Sequence, residues 1–165
     1  MLSRSKRANV LDLIIMSIGA FAFASAIIFG HTMWNQIVAS GALNTTSQST
    51  QIVVNTNEQF GIFDNLFLFF FVGLGLTSVI AAARVRTSPL FFFLSLVLYT
   101  ITLIVGYVVQ SAYGQLGSTN AILSSSISVF PKMAFIMNHL VVFLVVWGTL
   151  ITIALYSTRG QESFV

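Results

Sequence analysis

The sequence predicts an all-α fold: an integral membrane bundle of four transmembrane helices with both termini on the cytoplasmic, or topologically equivalent, side. Three observations predict it. Charged residues are 7% of the 165-residue chain and apolar residues 56%, where an average soluble protein is about 25% charged. So few charges would not cover the surface of a soluble domain of this size. Four apolar runs approach the roughly 20 residues needed to cross hydrocarbon. The basic residues gather on one side of those runs.

The elements follow in chain order. Residues 1–9, "MLSRSKRAN", form a short basic arm carrying Arg4, Lys6 and Arg7. Span one covers residues 13–30, with Asp12 in its first turn, where a carboxylate favours the helix dipole. Its helix is expected to run on through "HTMWNQIVASGAL", with Trp34 at interface depth. The start imitates a secretory signal, with A-x-A at Ala22 to Ala24 and again at Ala24 to Ala26. The residues that follow, "IIFG", are still apolar, so retention of the span is the expectation.

Residues 31–59 are read as a polar outer loop in which "QIVVN" has the composition of a short strand, and Asn44 opens a glycosylation triplet. Span two covers residues 60–83 and span three residues 89–109. Only "RVRTS" lies between them, which predicts a tight antiparallel hairpin with Pro89 at the first helical position and Thr87 or Ser88 as cap. Residues 110–132 form the second polar outer loop, and Pro131 opens span four, residues 133–156. The whole chain, 1–165, reads as a single membrane domain with no internal repeat.

Orientation rests on Arg4, Lys6, Arg7, Arg84, Arg86 and Arg159, which four crossings place on one side; the two long loops hold only Lys132. Basic residues in short loops stay in the cytoplasm, so both termini are expected there. No basic run interleaves with aromatics outside the spans, so nucleic acid is not an expected partner. The lipid bilayer is.

Chemistry is sparse. There is no cysteine, which removes disulfides, thiolate nucleophiles and Cys-ligated metal. No nucleophile elbow, zinc-protease helix or phosphate loop occurs, and no span carries paired carboxylates, so an enzyme is not expected. No cofactor or metal is expected either. His31 and His139, each near the outer end of a span, form a weak candidate pair for bis-imidazole haem. Asp64 is the one acid placed to enter hydrocarbon, and reads as an acid in the first turn of span two rather than a proton relay.

The remaining candidates are helix-packing and partner-contact residues. On span three, Ser95, Tyr99, Thr102 and Gly106 share one face and lead toward Gln110 and Tyr113. A pore would use such a seam, and so would close helix packing; with nothing charged in its central part, packing is the expectation. Ala22, Ala26 and Gly30 on span one, Gly73 and Thr77 on span two, and Gly148 and Thr152 on span four repeat small residues at the same spacing. Asn138 and His139 stand side by side in span four and read as a docking pair at its outer rim. Together these features predict a non-enzymatic structural membrane subunit packing with other membrane or capsid subunits in a larger assembly, such as a minor capsid-associated protein in a virion membrane or envelope. The alternatives are a small oligomeric channel or holin-like pore former, and an accessory or haem-ligating subunit of a respiratory-type complex.

Overall fold

The computed structural model describes residues 11–41, 47–83, 89–119 and 121–157. Among them are six helices and no strand: α1 (Leu11–Ala39), α2 (Ser47–Ala83), α3 (Pro89–Thr119), α4 (Ala121–Ser128), α5 (Pro131–Asn138) and α6 (Leu140–Ser157). α1, α2 and α3 are each long and apolar enough to cross a membrane. The number rises to four if α4 and α5, which meet at 109°, count as one broken span; α6 is a shorter apolar helix. The chain is therefore a helical protein consistent with three or four membrane crossings.

Two expectations are corrected. The stretches read as outer loops are largely helical. α2 has 37 residues, about 55 Å of rise, because neither glycine nor proline interrupts residues 47–59. "QIVVN" lies inside this helix, and an isolated five-residue strand has no partner ladder to stabilise it. α3 likewise continues to Thr119, and α4 follows. α1 stops where Gly41 takes a φ of +69°. This left-handed residue lets Gly41 N–H turn back to Val38 O at 3.2 Å while Ser40 N–H reaches Gln36 O at 2.9 Å.

Span four is also not one uninterrupted helix. It breaks at His139, whose φ and ψ are −117° and 21°. The break is mild: His139 N–H is shared between Phe135 O and Ile136 O, both at 3.2 Å, and Phe143 N–H returns to His139 O at 3.1 Å. The basic residues that set orientation, Arg4, Lys6, Arg7, Arg84, Arg86 and Arg159, lie outside the described residues, as do the Asn44 triplet and the Thr87 and Ser88 caps.

Polar side chains mark the inward phase of each helix. On α2 the buried positions are Asp64, Phe67, Phe71, Gly75, Ser78 and Ala82, a spacing that follows the 3.6-residue turn. On α1 they include Ser17, Ala24, Ile28, His31 and Thr32, and on α3 Ser95, Thr102, Gly106 and Tyr113. Several buried hydroxyls bond to the preceding turn: Ser17 donates to Leu13 O at 2.7 Å and Thr102 to Leu98 O at 2.9 Å.

α6 packs between α2 and α3, and its contacts with these two are the most extensive in the bundle. Glycines permit both. A Cβ on Gly75 would fall inside the ring of Trp147; one on Gly148 would overlap Tyr99; one on Gly106 would overlap Leu144. Tyr99 then donates its hydroxyl to Val145 O at 3.2 Å. Gly73 has open space where a Cβ would sit. Gly75→Ala is therefore expected to cost about 1–3 kcal/mol through overpacking. Gly73→Ala adds helix propensity, up to about 1 kcal/mol, with no clash. Thermal unfolding of the detergent-solubilised protein should show a lowered midpoint for the first variant and an unchanged or raised one for the second.

Candidate functional site

The last third of the chain creates a problem that other helices solve. Breaking a helix at Phe130 and again at His139 exposes backbone N–H groups inside an apolar bundle, where each unpaired group is costly. At the first break Pro131 occupies the first position of α5 and so brings no N–H. The next two amides point at a carboxylate from α2: Met133 N–H donates to Asp64 Oδ1 at 2.7 Å and Lys132 N–H to Asp64 Oδ2 at 3.1 Å. Ala134 N–H then begins the ladder on Phe130 O at 2.9 Å. Asp64 is 4% exposed. It acts as the N-cap that Phe130, with no capping side chain, does not provide. Beside it, Lys132 Nζ is hydrogen-bonded to Asn65 Oδ1.

Asp64 is thus not an acid in the first turn of its own helix. α2 begins seventeen residues earlier, at Ser47, and the carboxylate serves the first turn of another helix. At the second break, Gln110 on α3 plays the same part: its Oε1 accepts from Val141 N–H at 3.0 Å. Two broken helix starts are therefore each closed by a side chain from a different helix.

Around these caps lies a polar cluster. His31 is buried and held edge-on by Phe60, with ring centroids 5.1 Å apart, and by Phe130, at 5.4 Å. The Asn35 amide lies 3.3 Å from its Nδ1. The hydroxyls of Thr32 and Ser126 are hydrogen-bonded at 2.8 Å, tying α1 to α4. Tyr113 is 1% exposed, and its hydroxyl has no hydrogen-bond partner in the described structure.

The sequence candidates divide sharply. Tyr99 and Gly106 pack against α6, at Gly148 and Leu144, while Ser95 and Thr102 are buried on the same helix; Thr152 donates to Gly148 O at 2.8 Å. Ala22, Ala26 and Gly30 are not joined to any neighbour: all three are exposed, and a Cβ on Gly30 would meet nothing within 4 Å. Gly73 and Thr77 also lie off the α2–α6 contact, with Thr77 exposed and donating to Gly73 O at 2.7 Å. Sequence reasoning passed over Gly75, Gln110 as a cap, and Asp64 as a cap for α5. Counting helical turns from Asp64 finds Gly75 on the same face, since an acid in hydrocarbon must turn inward.

Asn138 and His139 point outward, both exposed. His139 lies over Phe135, ring centroids 4.7 Å apart, with Nδ1 2.9 Å from Phe135 O. The two histidines occupy different surroundings. His31 touches Phe130, just before α5, and His139 follows α5, so about 12 Å of helix rise separates them. One iron needs both imidazoles in its own coordination shell. No group of three or more His, Cys, Asp or Glu able to hold a metal occurs among the described residues. Compared with family models, curated proteins and solved structures, the chain matches none.

The cap geometry is testable. Asp64→Ala leaves one buried amide and one partly buried amide without an acceptor; the buried one is worth about 1–3 kcal/mol, so a loss of about 2–3 kcal/mol in stability is expected. Asp64→Asn keeps one acceptor oxygen and should lose about half as much. Denaturant titration of both variants in the same detergent gives the comparison; equal stability of Asp64→Ala and the natural chain would remove the cap from the account.

Proposed function

We propose that this chain is a non-enzymatic structural subunit of a larger membrane assembly, docking a partner's transmembrane helix on the outward face of α5 and α6. In this reading α1, α2, α3 and the pair α5–α6 make four crossings, with both termini on the cytoplasmic side. The observation that carries it is Asn138. Its amide is exposed on the bundle's outer face and has no hydrogen-bond partner among the described residues. α6 has 18 residues, about 27 Å of rise, which nearly fills a hydrocarbon layer of about 30 Å. Asn138 sits at the outer edge of that stretch, where an amide facing lipid gains from a polar partner on another helix.

Two further features support a subunit over a pore. The polar seam of α3 is turned into the bundle, with Thr102 fully buried and Tyr99 and Gly106 against α6. The small-residue face of α1, Ala22, Ala26 and Gly30, is open and suited to close approach by a second helix. The host is the point left to experiment. A virion membrane with a minor capsid partner and a respiratory-type complex are the two settings expected from sequence.

Gentle purification from the native source, followed by identification of co-purifying proteins, is the direct test. A membrane or capsid protein should be recovered with the natural chain. Asn138→Leu together with His139→Leu should weaken its retention about fivefold, matching roughly 1 kcal/mol for polar contacts between membrane helices. Ion flux through liposomes holding the purified chain alone would overturn the reading in favour of a pore. Topology has its own check, since the chain lacks cysteine. Single cysteines replacing Ser5 and Ser47 should label from opposite sides of the membrane, and labelling from one side would refute the orientation.

A further inference from the structure

A groove of about 540 Å³ runs between α1 and α2, apart from the polar cluster and from the Asn138 face. Its walls are apolar along most of their length, with Gly19 and Leu74 among them. It ends where Phe23 stacks on Phe67, ring centroids 6.0 Å apart and planes at 15°, with Phe67 in turn stacked on Phe71 at 6.2 Å. At the opposite end, where α1 begins and α2 finishes, its lining includes Asp12, Thr77 and Ser78.

Depth and chemistry together identify an occupant. From Asp12 to Phe23 is eleven residues of helix, about 16 Å. That is close to half of a hydrocarbon layer of about 30 Å, so the groove is one leaflet deep. A partner helix crossing the bilayer would need both leaflets, and the Phe23–Phe67 stack stands in its path. An acyl chain needs only one. The polar end offers acceptors. Thr77 already donates its hydroxyl proton to Gly73 O and Ser78 to Leu74 O, at 2.7 and 2.9 Å, which leaves oxygen lone pairs free. Asp12 adds a carboxylate, the one ionisable side chain in the lining among the described residues. A headgroup that matches three acceptors and a negative charge is a primary ammonium, with three N–H donors and a positive charge.

We infer that this groove holds one acyl chain of an amine-headgroup phospholipid, with the ammonium at Asp12. A choline headgroup carries the charge without the donors, and a glycerol headgroup carries donors without the charge, so both fit less well.

Native mass spectrometry of the full chain in mild detergent tests this, with phosphatidylethanolamine, phosphatidylcholine and phosphatidylglycerol of matched chains as probes. One phosphatidylethanolamine should bind per chain, at a concentration at least tenfold below that needed for the other two. Gly19→Phe should abolish that binding. Gly19 lines the groove, and a Cβ there meets nothing within 4 Å. Leu74→Trp, at a half-exposed position on the facing wall, should weaken binding in the same way and stands in if the first variant is unstable. Asp12→Asn should bring the three lipids within about twofold of each other. Equal binding of all three lipids by the natural chain would overturn the proposal. So would retention by both filled-groove variants, or efficient disulfide formation between copies carrying Gly19→Cys, which would make the groove a contact between chains.

Discussion

Inside a packed bundle a helix cannot be broken freely, because buried backbone groups need partners when a break removes their hydrogen bonds. This constraint organises one end of the molecule. The chain breaks before Pro131 and again at His139, and both breaks survive because acceptors arrive from elsewhere: Asp64 from α2 and Gln110 from α3. Pro131 reduces the demand by bringing no N–H of its own. Each cap also fixes a helix register, since a carboxylate that must meet two particular amides leaves α2 and α5 little freedom to slide. Polar contacts in this protein therefore act first as locators of broken ends.

The consequence reaches the other end of the bundle through α6. Once α5 is held by Asp64 and the start of α6 by Gln110, the phase of α6 is set. Trp147 is then directed at Gly75 and Gly148 at Tyr99. Those contacts are too close for any side chain on either glycine, so the bundle depends on having glycine at the places where the capped helix arrives. Hydrophobic burial alone would not select this arrangement, because lipid tails are as apolar as leucine and offer no preference between packing and solvation. Close approach and satisfied polar groups supply the selection that water supplies in soluble proteins.

How much of this was legible follows from the same physics. Helical content and membrane character follow from composition and the lengths of apolar runs. The polar seam of α3 was also readable, because Ser95, Tyr99, Thr102 and Gly106 stand out against leucine and phenylalanine at helical spacing. Small-residue spacing was a poorer guide. Gly73 with Thr77 looked as good a seam as any, yet Gly75, two residues away and on the opposite face, is where Trp147 packs. Ala22, Ala26 and Gly30 form a regular seam too, and it faces outward. A small residue tolerates either a neighbour or lipid, so it does not fix a phase. A buried acid does. The extension of α2 through residues 47–59 and the capping by Gln110 were not readable, since the first depends on helix continuing beyond the bilayer and the second on a break that no proline marks.

The outward features stand beside an interior that is satisfied at its two breaks, although Ser25 Oγ, Trp34 Nε1, Tyr113 Oη and Trp147 Nε1 have no partner among the described residues. If polar groups were left unpaired throughout, an exposed Asn138 would be one more loose end. Instead, amides at both breaks have acceptors, buried hydroxyls such as Ser17 and Thr102 bond to their own helices, and Thr32 pairs with Ser126. Beside those satisfied breaks, an outward amide next to a histidine stands on one face, and Asp12 stands at the mouth of an apolar groove on another. On the readings proposed above, the two surfaces take two different neighbours. A partner helix can answer Asn138 because it carries its own polar side chains at a fixed depth. The groove closes after one leaflet and presents acceptors at its mouth, so its neighbour must be short, apolar along its length and cationic at one end.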